Sequence, residues 1–305
     1  MKEIPIIHLS SILSIMTAAL FSCALEGDVH TDLSSIYPET ETRGWLINEN
    51  NTGLCGNFSG LEPLDPAEAG YAAYGTLFIT IPGITISHKE INYPVQVLAE
   101  GVTIEHCLIR PYSCGRGVPV VNVENAVIRD CEIDCSSIPI EQVGFSIIVN
   151  GDNCIIERCN IHGGSSGISI GSTSESMTAV AQANYIHGLR LYTDPETGET
   201  AHIDGLTIRR SDGAGVIVRD NYILVQPDPA TGPLFIQAWR GHINNVLVEG
   251  NMLQGHGFCL VLDYNAYGCG NNMQAKNNRI DAWTDNGSGP WYAATAGGAY
   301  WHIWE

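Results

Sequence analysis

The sequence predicts an all-β protein folded as a parallel β-helix of about 7–8 coils. A segment of the form apolar–x–apolar–x–x–[Cys or Asn]–x–apolar recurs at intervals of 24 to 37 residues. Its apolar residues lie two apart, which is the spacing of a strand and not of a helix. Helix signals are nearly absent, and Gly and Pro are frequent, as in turn-rich β proteins. The central residues of the copies are Cys107, Cys131, Cys159, Asn184, Asn221, Asn251 and Asn278.

Each central residue, here called a rung residue, is expected to point into the core and stack on its equivalents. Asn side chains can share hydrogen bonds between stacked coils. We interpret Cys107, Cys131, Cys154 and Cys159 as packed thiols. Lys89 holds the same place in a weaker eighth copy. Four cysteines in predicted turns are the better disulfide candidates, namely Cys55, Cys114, Cys135 and Cys269.

The N-terminus predicts export. Residues 1–22 combine a short charged start with an apolar run that ends at small residues, which is typical of a signal peptide. Leu20 to Cys23 resembles a lipobox, with Cys23 as the lipidated residue, and cleavage after Ala24 is the alternative. Either route leaves the protein extracellular, periplasmic or lipid-anchored at the cell surface, and the lipid route attaches it to a membrane.

The repeat divides the remaining chain into three parts. We expect residues 25–75 to cap the first coil, with a short helix between Leu64 and Tyr74. Residues 76–283 form the β-helix. Residues 284–305 are rich in Gly and aromatic residues and are expected to seal the last coil, with stacking on sugar rings as the alternative.

The chain is strongly acidic, with 33 Asp and Glu against 14 Lys and Arg and a net charge of −19. A field of this sign disfavours nucleic acid and anionic polymers unless cations or a local basic patch intervene. We therefore expect no nucleic acid partner. Clustered carboxylates could hold Ca²⁺, but no spaced acidic motif occurs, so the metal stays open.

The position three residues after each rung residue predicts a column of side chains on successive coils. It places Asp134, His162 and His187 beside one another if the column faces outward. A carboxylate next to imidazoles orients them and suits acid–base catalysis. A polar outer stack without a catalytic role is the alternative.

The longest interval, between Asn184 and Asn221, contains a polar loop that closes with His202-Ile203-Asp204-Gly205. Long insertions on a solenoid often carry function. Residues two apart on a strand share a face, so His202 and Asp204 are expected to project together near His187 and Arg190. A turn cap formed by Asp204 is the structural alternative.

The second strand of each repeat predicts a binding face. Alternation in the segments LFIQAW and CLVLDY turns Gln237 and Asp263 outward, with Ser169 and Thr207 in equivalent places. The residues that follow could stack on sugar rings or bind them, namely Trp239, Arg240 and Tyr264.

Four phrases resemble exported bacterial right-handed parallel β-helix proteins of the pectate-lyase-like superfamily over about residues 50–285. They are VTIEHCLI, NCIIERCNIHGGSSGISIGS, HIDGLTIRRSDGAGVIVRDNYI and INNVLVEGNML. The resemblance implies a right-handed coil and polysaccharide as the substrate class. Related β-helix proteins commonly carry a similar His-x-Asp-Gly. The polygalacturonase motifs are largely missing, because Gly255-His256-Gly257 has no Asp pair before it.

The resemblance and the candidate residues together suggest a polysaccharide lyase. β-Elimination needs a base, for which His187 or His202 could serve, and a cation such as Arg190 beside the uronate. A non-catalytic glycan-binding or structural surface module is the first alternative, and a glycoside hydrolase is the second. We expect the protein to be a monomer.

Overall fold

In the computed structural model, nearly all of the regular secondary structure is β-strand. Side chains are described for residues 43–114, 119–171, 178–211, 215–239, 241–263 and 271–283, and two further strands by backbone alone. A single α-helix, α1 (Pro66–Ala69), and two 3-10 turns, Gly44–Leu46 and Ile140–Gln142, are the helical elements of these residues.

The strands are short and follow one another at regular intervals. The first eleven are β1 (Glu62–Pro63), β2 (Gly70–Ala73), β3 (Thr76–Ile79), β4 (Thr85–Ser87), β5 (Lys89–Ile91), β6 (Val95–Val97), β7 (Thr103–Glu105), β8 (Leu108–Ile109), β9 (Val121–Val123), β10 (Val127–Arg129) and β11 (Glu132–Asp134).

The next nine are β12 (Phe145–Val149), β13 (Cys154–Glu157), β14 (Asn160–His162), β15 (Ser166–Ile170), β16 (Thr178–Gln182), β17 (Tyr185–His187), β18 (Asp204–Ile208), β19 (Gly215–Arg219) and β20 (Tyr222–Val225). The last eight are β21 (Gly232–Gln237), β22 (Val246–Glu249), β23 (Met252–Gly255), β24 (Leu260–Asp263), β25 (Met273–Lys276), β26 (Arg279–Ala282), β27 (Ala293–Ala296) and β28 (Ile303–Trp304).

Three long sheets confirm the parallel β-helix. Sheet I has the order β2-β3-β6-β9-β12-β15-β18-β21-β24-β27. Sheet II runs β4-β7-β10-β13-β16-β19-β22-β25-β28, and sheet III runs β1-β5-β8-β11-β14-β17-β20-β23-β26. Every pairing is parallel except that of β2 with β3. From β3 to β26, each coil contributes one strand to each sheet, which gives eight three-stranded coils in the described residues. The right-handed sense stays a prediction.

The rung residues form the expected ladder. The Oδ1 atom of Asn221 accepts from the backbone N–H (3.0 Å) and the Nδ2 atom (2.9 Å) of Asn184. Asn221 donates in turn to Asn251, and Asn251 to Asn278. At the N-terminal end of the ladder, the Cys159 N–H donates to Asn184. Each buried side-chain amide therefore satisfies backbone groups of a neighbouring coil and, at the same time, its own donors and acceptor.

The eight cysteines among the described residues are free thiols, and seven of them are buried. Cys107, Cys131, Cys154 and Cys159 are buried, as predicted. Three of the four disulfide candidates, Cys55, Cys114 and Cys135, are free in the structure, and Cys269 lies outside the described residues. Burial raises the pKa of Cys135 to about 12, with a smaller opposing effect from the Ser146 hydroxyl, so its sulfur stays a thiol.

The helix expected between Leu64 and Tyr74 forms only at Pro66–Ala69. Asp65 and Glu68 make a reciprocal capping box at its start. The remainder of this expectation is wrong, because the chain turns at Gly70 into β2. A Cβ on Gly70 would lie 2.1 Å from the Phe78 carbonyl oxygen, so the pairing of β2 with β3 requires glycine there.

Residues 43–61, here called the N-terminal strap, lie along sheet III instead of standing only before the first coil. The Gly44 N–H donates to the Gly250 carbonyl oxygen (2.9 Å), and the Gly53 N–H donates to that of Arg158 (2.7 Å). Between them, Ile47 packs with tyrosines of β17 and β20. Within the predicted cap of 25–75, α1 and β2 adjoin the first coil, while the strap contacts later ones.

The C-terminal tail continues the stack. β27 pairs with β24 and β28 pairs with β25, so both extend their sheets beyond Trp283. The tail therefore adds strands to the end that it was expected to seal. The aromatic side chains expected there lie outside the described side chains.

Candidate functional site

The predicted column on sheet III exists. Asp134 pairs in register with His162, and His162 with His187. The two imidazole rings lie 5.2 Å apart. Periodicity alone therefore located three neighbours that together span more than fifty residues of the chain.

These side chains are held by one another and by a second outward column that sequence reasoning missed. His162 Nε2 lies 2.8 Å from Glu132 Oε1, and His162 Nδ1 lies 3.6 Å from Asp134 Oδ1. His187 Nε2 lies 2.9 Å from Asn160 Oδ1. Glu132 and Asn160 follow their rung residues directly, so the same repeat could have indicated them.

Burial also limits what His187 can do as a base. Its ring stacks on Tyr185 with a centroid distance of 4.1 Å. Burial, and then the neighbouring His162, lower the pKa of His187 to about 4. A neutral imidazole with this pKa is a weak general base, and its Nε2 already has a partner.

Asp134 is likewise engaged in hydrogen bonds with neighbouring residues. It accepts from Arg110 Nε (2.8 Å) and from the Ser136 backbone N–H (2.9 Å). Although burial acts in the opposite direction, these hydrogen bonds and His162 lower the pKa of Asp134. The carboxylate therefore stays ionised and serves as an acceptor within the stack.

Arg190 is half-buried and hydrogen-bonded to the backbone of neighbouring turns. Its Nε donates to the Gly163 carbonyl oxygen (2.6 Å), and its Nη2 donates to those of Cys135 (2.9 Å) and Ile138 (2.8 Å). These bonds tie Arg190 to the two turns that lead from β11 to β12 and from β14 to β15. Three of its five N–H donors are therefore used by the backbone, which disfavours the predicted role of Arg190 as a substrate cation.

A cleft lies on the outer face of sheet I, away from the sheet III column. Its main cavity has a volume of about 470 Å³ and reaches from coil 4 to coil 7. A second cavity of about 370 Å³ shares His202, Thr231 and Phe235 with it. The lining of the main cavity is Phe145, Ser169, His202, Arg209, Thr231, Phe235, Gln237 and Trp239.

Two loops form one edge of this cleft. The long loop between β17 and β18 contributes Thr200, Ala201 and His202, and the loop between β20 and β21 contributes Pro229, Ala230 and Thr231. The insertion predicted to carry function therefore borders the cleft.

His202 and Asp204 lie in the same region, but with different surroundings. His202 is exposed, and its Nδ1 atom lies 3.1 Å from Thr231 Oγ1. Asp204 is only 1% exposed. Burial raises the pKa of Asp204, while Arg209, His202 and the Thr231 hydroxyl oppose the rise. The expected grouping with His187 and Arg190 does not form, since those residues belong to sheet III and its turns.

Arg209 connects the polar groups of the cleft, and sequence reasoning missed it. Its Nη2 lies 3.2 Å from Asp204 Oδ2, and its Nη1 donates to Gln237 Oε1 (2.5 Å). The guanidinium carbon lies 4.9 Å from the centre of the Phe235 ring. Gln237 in turn donates to Asp263 Oδ2 (2.8 Å). The only sequence signal for Arg209 was that it directly follows β18, at a position where alternation turns the side chain outward.

Three of the five predicted binding residues can be placed. Trp239 is 58% exposed and lines the cleft, together with Gln237, and Asp263 adjoins Gln237. Arg240 and Tyr264 lie outside the described residues. The predicted equivalence of Ser169 and Thr207 with Gln237 is wrong by two residues, because the register aligns them with Phe235.

The described part of the chain contains no group of three His, Cys, Asp or Glu side chains arranged to hold a metal ion. It also contains no helix long and apolar enough to span a membrane. No protein-family model, curated protein or solved structure matches the chain.

Proposed function

We propose that this protein binds carbohydrate in the cleft on the outer face of sheet I. The observation that carries the proposal is the partly exposed aromatic lining of an open cleft that also presents hydroxyl, amide and imidazole groups. Phe145, Phe235 and Trp239 supply the rings, and Ser169 and Thr231 supply hydroxyls.

Such a lining suits a sugar because the faces of a sugar ring are largely apolar and its edge carries polar hydroxyls. The C–H groups of a pyranose ring can pack on an aromatic face, and its hydroxyls need donors and acceptors at the edges. Binding sites of this kind combine apolar walls with a few placed polar groups. Trp239 is a suitable anchor, since a large ring buries much area at low cost in side-chain entropy.

Binding without turnover fits the geometry better than elimination. A lyase needs a base and a cation that converge on one uronate. His187 and Arg190 are engaged in sheet III and its turns, away from His202. The predicted set of catalytic residues is therefore divided between two faces.

Lyase chemistry remains the second candidate on one observation. The exposed His202 borders the cleft beside the raised-pKa carboxyl of Asp204. If this pair acts in catalysis, the ultraviolet absorbance of unsaturated products should rise with a uronate polymer and should be lost in His202→Ala. A panel of polysaccharides without any product would contradict this candidate.

The export inferred from residues 1–22, and lipidation at Cys23, lie outside the described residues and stay proposals. They are consistent with a glycan ligand, because extended polysaccharides occur outside the cytoplasm. Metabolic labelling with a fatty acid, in the native chain and in Cys23→Ser, distinguishes the lipidated from the freely secreted form.

Trp239→Ala tests the binding proposal. We expect this change to weaken binding to a polysaccharide found by glycan-array screening by about tenfold to a hundredfold, as stacked rings and hot-spot aromatics do. Isothermal titration measures the loss. Tyr112→Ala is the matched control, because Tyr112 is equally exposed at 60% and does not line the cleft. Equal effects of both changes would contradict the proposal.

A further inference from the structure

The cleft contains one permanently charged side chain among the described residues that line it, Arg209. A cation in a carbohydrate cleft would ordinarily suggest an acidic sugar, since guanidinium groups bind carboxylates well. Its surroundings argue for the opposite ligand.

The guanidinium of Arg209 is already neutralised. It pairs with Asp204 at 3.2 Å, and that carboxylate is 1% exposed, so water screens the pair poorly. Its other terminal nitrogen donates to Gln237, and its face lies against Phe235. A carboxylate from a ligand would have to displace or share these partners.

The row continues with a second carboxylate. Gln237 accepts a hydrogen bond from Arg209 and donates one to Asp263 Oδ2 at 2.8 Å. Asp204, Arg209, Gln237 and Asp263 therefore carry two negative charges and one positive charge when both carboxyls are ionised. An incoming uronate would meet a net negative row on a chain whose overall charge is −19.

The remaining polar groups suit hydroxyls. Ser169 and Thr207 form a hydroxyl pair at 3.2 Å on the sheet face, and Ser169 lines the cavity. His202 and Thr231 form another pair at the edge. Each pair can donate and accept, which matches an uncharged sugar better than a carboxylate.

We propose that the sheet I cleft selects neutral glycans and rejects uronates, because Asp204 occupies the guanidinium of Arg209, the one permanent cation among the described residues that line the cleft. This inference rests on the proposed carbohydrate binding and specifies its ligand class.

The test compares matched sugars on the intact protein. An array should pair neutral hexose oligomers with the corresponding hexuronate oligomers, such as galactan with galacturonan, mannan with mannuronan and glucan with glucuronan. Linkage position and anomeric configuration are matched within each pair, so that the two members differ at C6 alone. We expect the wild-type protein to bind a neutral member at least about tenfold more tightly than its acidic partner, the usual effect of an unmatched buried charge.

Asp204→Asn should change this preference. It keeps the shape of the side chain and releases Arg209, so affinity for the acidic member should rise by about tenfold, the worth of a hydrogen bond between charged groups. Asp263→Asn is the second variant, in case the first folds poorly. It removes the other carboxylate of the row and should raise acidic-member affinity by about threefold.

Asp130→Asn is the matched control. Asp130 also pairs with an arginine, Arg158 Nε at 2.7 Å, but away from the cleft, and the change in net charge is the same. Asp130→Asn should leave the affinities for the neutral and the acidic members unchanged. Wild-type preference for the acidic members, or no gain in either cleft variant, would overturn the inference and leave carbohydrate binding standing. Failure to bind any array member would overturn the binding proposal itself.

Discussion

At the scale of single residues, one backbone conformation explains how the chain turns from sheet II to sheet III within each coil. The residue before each rung residue is left-handed, with φ between 50° and 65° from His106 to Asn277. The members are His106, Asp130, Arg158, Ala183, Asp220, Gly250 and Asn277. This bend turns the rung side chain inward, where Asn or Cys meets the backbone of the adjacent coil.

The rung positions were predictable because the same residue types recur there, but the bend was not. Asn, Asp and Gly are the usual residues at positive φ, whereas Arg158 and Ala183 carry no local signal for it. Tertiary stacking imposes the conformation, so no window of sequence around these residues contains the cause.

From the lowered pKa of His187 we predict that the protein loses stability in mild acid. An exposed histidine titrates near 6.5, whereas the folded-state pKa of His187 lies at about 4. Between these values the unfolded chain binds a proton that the folded protein refuses, so the free energy of unfolding falls as the pH is lowered through this window. The other titratable groups beside the ring are Tyr185, on which it stacks, and His162, Glu132 and Glu49.

Urea denaturation at intervals from neutral pH to about pH 4 measures this slope. His187→Gln should flatten it, because the glutamine has no proton to gain. Asp134 affects the free energy of unfolding only at lower pH, because its lowered pKa keeps the carboxylate ionised after His187 has gained its proton. An unchanged slope in His187→Gln would contradict the assignment.

At the scale of elements, the N-terminal strap decides which outer face is open. It packs on sheet III, where Gly53 lies against the side chains of Asn160 and Glu132. Glu49 is close enough to act on the pKa of His187. The repeat predicted one of the two outward columns of sheet III, but it carried no information about the non-repeating segment that covers both columns.

Gly53→Ala should loosen the strap. Gly53 has a φ of +60°, and a Cβ there would lie 2.7 Å from both Asn160 Cβ and Glu132 Oε2. Gly56 is the matched control, with a φ of +72° and open space around its Cβ position. Backbone strain of about 1 kcal/mol affects both variants, and only Gly53→Ala adds the clash.

Hydrogen exchange across residues 43–61 separates the two effects. Gly53→Ala should speed exchange throughout the strap and lower the free energy of unfolding by about 2–3 kcal/mol, as overpacking of a close contact does. Gly56→Ala should cost only the strain. Identical exchange in both variants would show that the strap is not held at Gly53.

At the scale of the whole molecule, the described residues cover the outer face of sheet III and leave a cleft open on sheet I. Sheet III is occupied by the strap and by mutual hydrogen bonds of its own polar residues, while sheet I presents a cleft lined by rings from coils 4 to 7. The histidine column had the stronger sequence pattern, and the cleft had the weaker one. Periodicity indicates which side chains are neighbours, but their availability depends on what the rest of the chain places over them.

Hydroxyl-radical footprinting of the protein with and without a bound glycan tests whether the binding site lies in the sheet I cleft. We expect the ligand to protect Trp239 and Phe235, and to leave Tyr112 and the Tyr185–His187 stack as reactive as before. Protection of the Tyr185–His187 stack with an unprotected Trp239 would contradict this expectation, and would place the binding site on sheet III.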